Sequence, residues 1–238
     1  MKRLNAWKAL SLLVLGLMST TGQAAQFVKF EFSAHVTNIN TNSPLGDYPG
    51  DSPLNVVDLG TAVNGYFYYE LSTPFLFSDP NAGGGSNTGY SSLTDIGIKF
   101  TANGYKFAQN AGYFDPLVIV DDVAAGTAND SLKLAASQHL ASGVNQDAEL
   151  TLTDKHNGGS LSNSSLPTAL AFNDYNGLLI FYWEDPSGHT FRYEATLDSL
   201  NQVAAVPEPE TYAMLLAGLA LMGGVARRKS RKSRKAAR

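Results

Sequence analysis

The 238 residues carry 17 basic and 21 acidic side chains, a formal net charge of −4, and no cysteine. Disulfides and thiolate metal sites are therefore excluded, and stability must come from the core alone. Between residues 25 and 205 the cations are Lys29, Lys99, Lys106, Lys133, Lys155 and Arg192, whereas every acid except Glu208 and Glu210 falls there. So acidic a body excludes nucleic acid as a partner, because phosphates need basic patches.

Residues 1–24 have the layout of a secretory signal peptide. Lys2, Arg3 and Lys8 form the charged start, Ala9 to Met18 the apolar core, and Gly22-Gln23-Ala24 a small-residue site for signal peptidase. A cut after Ala25 and a retained N-terminal anchor are the alternatives. The exported body then runs over residues 25–205.

That body reads as strands. From Val28 to Val36 the alternation is complete, with Val28, Phe30, Phe32, Ala34 and Val36 on the core face. Thr41 to Ser52 is a polar loop. Ala62 to Leu71 alternates again, placing Val63, Phe67, Tyr69 and Leu71 opposite Asn64, Tyr66, Tyr68 and Glu70. Ser78 to Ser92, rich in Gly, Ser and Asn, reads as a mobile loop too polar to pack. Asn103-Gly104 between Ile96–Phe100 and Tyr105–Phe107 predicts a hairpin, since both residues tolerate positive φ. Leu117–Val120, Leu132–Leu134 and Ala148–Thr153 are further strands, and His156 to Ser165 is another polar loop. Leu178–Trp183 and Thr190–Leu197 form a hairpin closed by Asp185-Pro186-Ser187-Gly188, with Phe191, Tyr193, Ala195 and Leu197 inward. Eight to ten short strands predict an all-β fold: one β-sandwich, jelly-roll-like, with a closed barrel as the alternative.

Residues 206–238 change character. Pro207 and Pro209 stiffen an extended stub that cannot enter a sheet. Residues 212–226 are apolar and would make a helix of roughly 22 Å, a short membrane span. Arg227, Arg228 and Lys229 open a basic tail (227–238) that the positive-inside rule keeps cytoplasmic. A plain membrane anchor behind a proline linker is one reading of this order.

Pro207-Glu208-Pro209, the short apolar segment and the basic cluster together resemble the PEP-CTERM sorting signal of Gram-negative bacteria. The resemblance implies that an exosortase, a membrane-embedded cysteine protease, cuts at the motif. It also implies an inner-membrane precursor passed on to the cell surface or extracellular matrix. Gly65-Tyr66-Phe67-Tyr68-Tyr69-Glu70, with Thr73-Pro74 following, is similar to a strand of PEP-CTERM bodies, which carry no assigned activity.

Catalytic patterns are absent from the body. His35, His139, His156 and His189 are widely separated, and Gly83 to Gly89 has neither phosphate-loop nor nucleophile-elbow spacing. Asp79 starts like a calcium loop, but Tyr90 stands where the bidentate glutamate belongs. Asp115, Asp121, Asp122 and Asp130 offer a structural calcium, with solvated turns as the other reading; no further cofactor is expected. Asp174, Glu184, Asp185 and Glu194 are the acids a glycosidase pair would draw on. Tyr66 and Tyr68 share a face, and Tyr175 and Trp183 lie near strands, so these rings either stack on sugars or fill the core. The expectation is a non-enzymatic surface or matrix protein with a structural or adhesive role. Its alternative is a carbohydrate-binding module of the exopolysaccharide.

Overall fold

Alternation of apolar and polar side chains commits the start of the body to strand, and β1 (Phe27–Thr41) extends it over 15 residues. The structure is a computed structural model. It describes residues 26–42, 52–80, 85–108, 116–123, 129–156, 158–161 and 163–203, and residues 25–204 form one compact unit. The strands that follow are β2 (Ala62–Glu70), β3 (Phe75–Pro80), β4 (Gly85–Ser91), β5 (Ile96–Ala102) and β6 (Tyr105–Ala108). After them come β7 (Leu117–Val123), β8 (Ser131–His139), β9 (Asn145–Asp154), β10 (Tyr175–Glu184) and β11 (Thr190–Val203). No helix among the described residues is long and apolar enough to cross a membrane. The signal peptide and the membrane helix expected at 212–226 lie outside the described residues.

All eleven strands pair antiparallel in one sheet, in the order β3-β4-β7-β8-β9-β10-β11-β1-β2-β5-β6. The expected jelly-roll sandwich of two sheets is thus corrected to a single curled ribbon with β3 and β6 as its edges. Covalent reach imposes the curl. β2 is joined to β3 by residues 71–74, and β4 to β5 by residues 92–95, yet each pair stands eight places apart in the sheet. Eight strand spacings span roughly 38 Å on a flat sheet, whereas four residues reach about 14 Å. The two arms must therefore face one another. The long pair β1–β11 carries register shifts between Ser33 and Ala34 and between Val36 and Asn38. Such bulges add an unpaired residue and sharpen the local twist.

Aromatic rings fill the space between the arms. Phe181 of β10 meets Phe100 of β5 at 5.7 Å and Phe107 of β6 at 5.9 Å, both edge to face. Phe30 stacks on Phe67 at 5.1 Å, and Phe181 lies 5.1 Å from Tyr193. Gln146 of β9 donates to the Tyr105 hydroxyl of β6 at 2.5 Å, a polar link across the fold. The inward faces read from alternation hold for Val28, Phe30, Phe32, Ala34, Val36, Val63, Phe67, Tyr69, Phe191, Tyr193, Ala195 and Leu197, all buried, whereas Leu71 beyond the end of β2 is only partly buried.

One loop differs from expectation, and another is a loop as expected but firmly held. Most of Ser78 to Ser92, expected to be loose, is the hairpin β3–β4, and β4 pairs along β7 from Gly85↔Val123 to Ser91↔Leu117. Its side chains are small and polar, but the ladder needs only backbone groups. At Gly89 a Cβ would meet the Phe77 ring at 2.2 Å, so the missing side chain lets that ring lie on the strand. The polar stretch His156 to Ser165, for its part, is pinned rather than free. Buried Asp130 accepts the amides of Val123 (2.9 Å), Gly159 (2.8 Å) and Leu161 (2.8 Å). Buried Asp154 accepts the amides of His156 (2.9 Å) and Gly158 (2.7 Å) and the Ser160 hydroxyl (2.5 Å). The same connection seats Leu161, Leu166 and Leu170 in the core. Tyr69 of β2 donates to the Pro167 carbonyl (2.7 Å) and Tyr90 of β4 to that of Ser164 (3.0 Å), so strands from both arms hold it.

Burial alone would raise the Asp154 carboxyl, but Ser160, the amides of His156 and Gly158, and the His156 charge outweigh it and hold it low. Burial, and then the charges of Asp154, Asp130 and Asp174, push the Tyr175 hydroxyl up to about 12. Three measurements test this account. Phe67→Ala should cost about 3–5 kcal/mol in urea unfolding; a loss under ~1 kcal/mol would mean the ring is not in the core. Asp130→Ala, which strands the buried Leu161 amide and the part-buried amides of Val123 and Gly159, should cost about 2–3 kcal/mol. A carboxyl held low when folded adds stability above its unfolded pKa, and that stability is lost as pH falls through the folded value. Asp154→Asn should therefore flatten the acid limb of stability against pH. An unchanged acid limb would refute its role.

Candidate functional site

The outer face of β1, β2 and β5 carries the aromatic residues singled out in the sequence. Alternation turns Phe67 and Tyr69 inward, so Tyr66 and Tyr68 stand outward and half-buried. Their rings lie 6.5 Å apart, and Phe27 meets Tyr68 edge to face at 6.1 Å. Tyr68 is paired with Gly97 on β5, where a Cβ would sit 2.7 Å from its ring. The ring thus lies against bare backbone on one side. Tyr66 is covered differently: the Lys29 ammonium lies 4.2 Å above its centroid, while also pairing with Glu31 at 3.1 Å. An aromatic plate with cations at its border can stack on the apolar face of a sugar and bond its hydroxyls.

Tyr175 and Trp183 do not join this plate. Both are buried in the core, which settles for them the choice between stacking and packing.

The remaining polar candidates are committed elsewhere. His35 pairs with Asp198 (2.7 Å), His156 with Asp174 (3.3 Å) and His189 with Asp185 (2.7 Å), while His139 bonds Asn145 (2.7 Å). Ser33, two residues from His35, bonds the Ser199 hydroxyl at 2.6 Å. Asp185 folds back onto its own turn, accepting the amides of Ser187 and His189. Burial would raise its carboxyl, but the His189 side chain and these amides hold it low. Glu194 pairs with Arg192 at 2.6 Å, and Glu184 accepts the Tyr182 hydroxyl at 3.2 Å.

The expected acidic cluster is only partly described. Asp130 points into the loop amides, Asp121 and Asp122 lie on β7, and Asp115 falls outside the described residues. Burial first, then the charges of Asp130 and Asp121, raise the Asp122 carboxyl. Among the described residues no three His, Asp or Glu side chains are grouped as metal ligands.

What the sequence did not disclose is the surrounding of the tyrosines. Phe27, Lys29 and Gly97 meet them only through the registers Lys29↔Tyr68 and Tyr68↔Gly97, and alternation fixes faces but not registers.

Pro207, Glu208, Pro209, Arg227, Arg228 and Lys229 lie outside the described residues. Their order in the sequence is matched independently. No curated protein and no solved structure matches the chain. A family model does: residues 205–232 match the PEP-CTERM protein-sorting motif. The motif is that of an exported protein sorted by an exosortase from a membrane-anchored precursor. Residues 205–232 of the chain therefore carry a PEP-CTERM protein-sorting motif.

Proposed function

We propose that the protein is an adhesive component of the cell surface or extracellular matrix, and that its body holds exopolysaccharide on the outer face of β1, β2 and β5. Signal peptidase frees one end and the exosortase the other, and the body acts by binding rather than catalysis. The observation that carries the binding reading is the outward pair Tyr66 and Tyr68, with Tyr68 laid against Gly97. A core-filling pair would have left a purely structural component as the better reading.

Tyr68 offers the freer ring, because Lys29 already covers Tyr66. In affinity electrophoresis of the processed protein through matrix polysaccharide, Tyr68→Ala should abolish most of the retardation and Tyr66→Ala less. Unchanged migration of the double variant would leave only the structural role.

Sorting has its own test. An anchor needs apolar length, whereas a protease cleft that pairs with the Glu208 carboxylate rejects a chain lacking it, because its own donors are left empty. Glu208→Ala should accumulate as full-length protein in the inner membrane of a host that has the exosortase. Arg227, Arg228 and Lys229→Ala together should lower correct insertion instead. Equal tail lengths for wild type and Glu208→Ala would leave a simple anchor.

A further inference from the structure

The cations of this acidic body are not scattered. Of the six between residues 25 and 205, Lys29, Lys99 and Lys106 stand on the outer face of β1, β5 and β6, around the two tyrosines. Lys99 is the cross-strand partner of Tyr66, and Lys106 is that of Thr101 on the neighbouring edge strand. Lys99 and Lys106 are therefore diagonal neighbours, about 7–8 Å apart at the backbone. Both are exposed, and neither makes an ion pair among the described residues.

Acids nearby do not neutralise them. The hairpin β5–β6 carries no Asp or Glu, Glu31 is held by Lys29, and Glu70 accepts the Ser72 hydroxyl. The other three cations are differently placed: Lys133 pairs with Glu149 at 2.8 Å, Arg192 with Glu194, and Lys155 lies over Phe172. A positive strip thus borders the aromatic plate on a protein whose net charge repels anions elsewhere. Such an arrangement is complementary to a ligand with sugar rings and regularly spaced carboxylates.

We infer that the face selects acidic, uronate-type polysaccharide over neutral glycan. This rests on the sugar-binding reading above and adds its charge class. A ring of the polymer lies on Tyr68 beside Phe27, and carboxylates of adjoining residues reach Lys99 and Lys106.

The test uses the processed protein with polygalacturonate and with its methyl-esterified form, the same backbone without charge. Wild type should bind polygalacturonate about tenfold more tightly than the ester, with an affinity that falls as salt rises. Lys99→Ala with Lys106→Ala should remove that difference, bringing the affinity for polygalacturonate down to that for the ester. Lys133→Ala, on another part of the surface, should change neither. Tyr68→Ala should weaken both. Equal wild-type affinity for the two polymers would overturn the charge selectivity while leaving sugar binding in place. Binding to neither, with or without the lysines, would overturn the sugar reading itself. Equal losses from Lys133→Ala and from the Lys99/Lys106 pair would reduce the effect to net charge and refute the site.

Discussion

Two four-residue connections, 71–74 and 92–95, hold the arms of an eleven-stranded ribbon close enough to share one core. Much else follows from that constraint. The inner face is enclosed and largely apolar, with Phe30, Phe67, Phe107, Phe181 and Phe191 among its fully buried side chains. The outer face is left to solvent along its length, so outward side chains are free of packing duties. Only a few of them are large and aromatic. Tyr66, Tyr68 and Phe27 are together because β1 and β2 pair in one register, and Gly97 is bare because a ring lies on it.

A curled ribbon has open ends, and the connection between β9 and β10 is anchored on strands of both arms. The anchoring is polar at its root. Two buried aspartates present their oxygens to five amides and one hydroxyl. Each carboxylate thereby recovers hydrogen bonds lost with water, which is the condition on which a buried charge is tolerated. In a chain with no cysteine, this network does locally what a covalent cross-link does in other exported domains: it fixes a long loop to the sheet. The two devices fail differently. A disulfide fails on reduction, whereas a carboxylate clasp fails on protonation.

The local features of this fold were legible in the sequence, and the long-range ones were not. Alternation assigned the buried faces of β1, β2 and β11 correctly, and Asn103-Gly104 turns with φ of 44° and 88° as its composition requires. β4 escaped notice because glycine, serine and asparagine describe a loop by propensity, while here the ladder from β7 decides. Asp130 read as a calcium ligand or a solvated turn residue because nothing local shows that the amides of Val123, Gly159 and Leu161 converge on its side chain. The choice between two sheets and one could not be made either, since it depends on β1 pairing with β11. For the candidate site, the faces of Tyr66 and Tyr68 were left open between core and surface, and the companions Phe27, Lys29 and Gly97 needed the register. The sorting motif is the opposite case: the order of its parts along the chain is its whole signature, so sequence alone sufficed.

The central ladder sets Lys29 opposite Val203, so the first strand of the body to be made is partnered by the last. A sheet joined this way cannot zip from one end as the chain emerges. Its hairpins can form early, but its middle must wait for residues some 170 positions downstream, a high-contact-order step that is intrinsically slow. Until β11 is available, β1 and β10 lack their shared neighbour in the middle of the sheet. The topology thus couples completion of the fold to completion of the body's last strand.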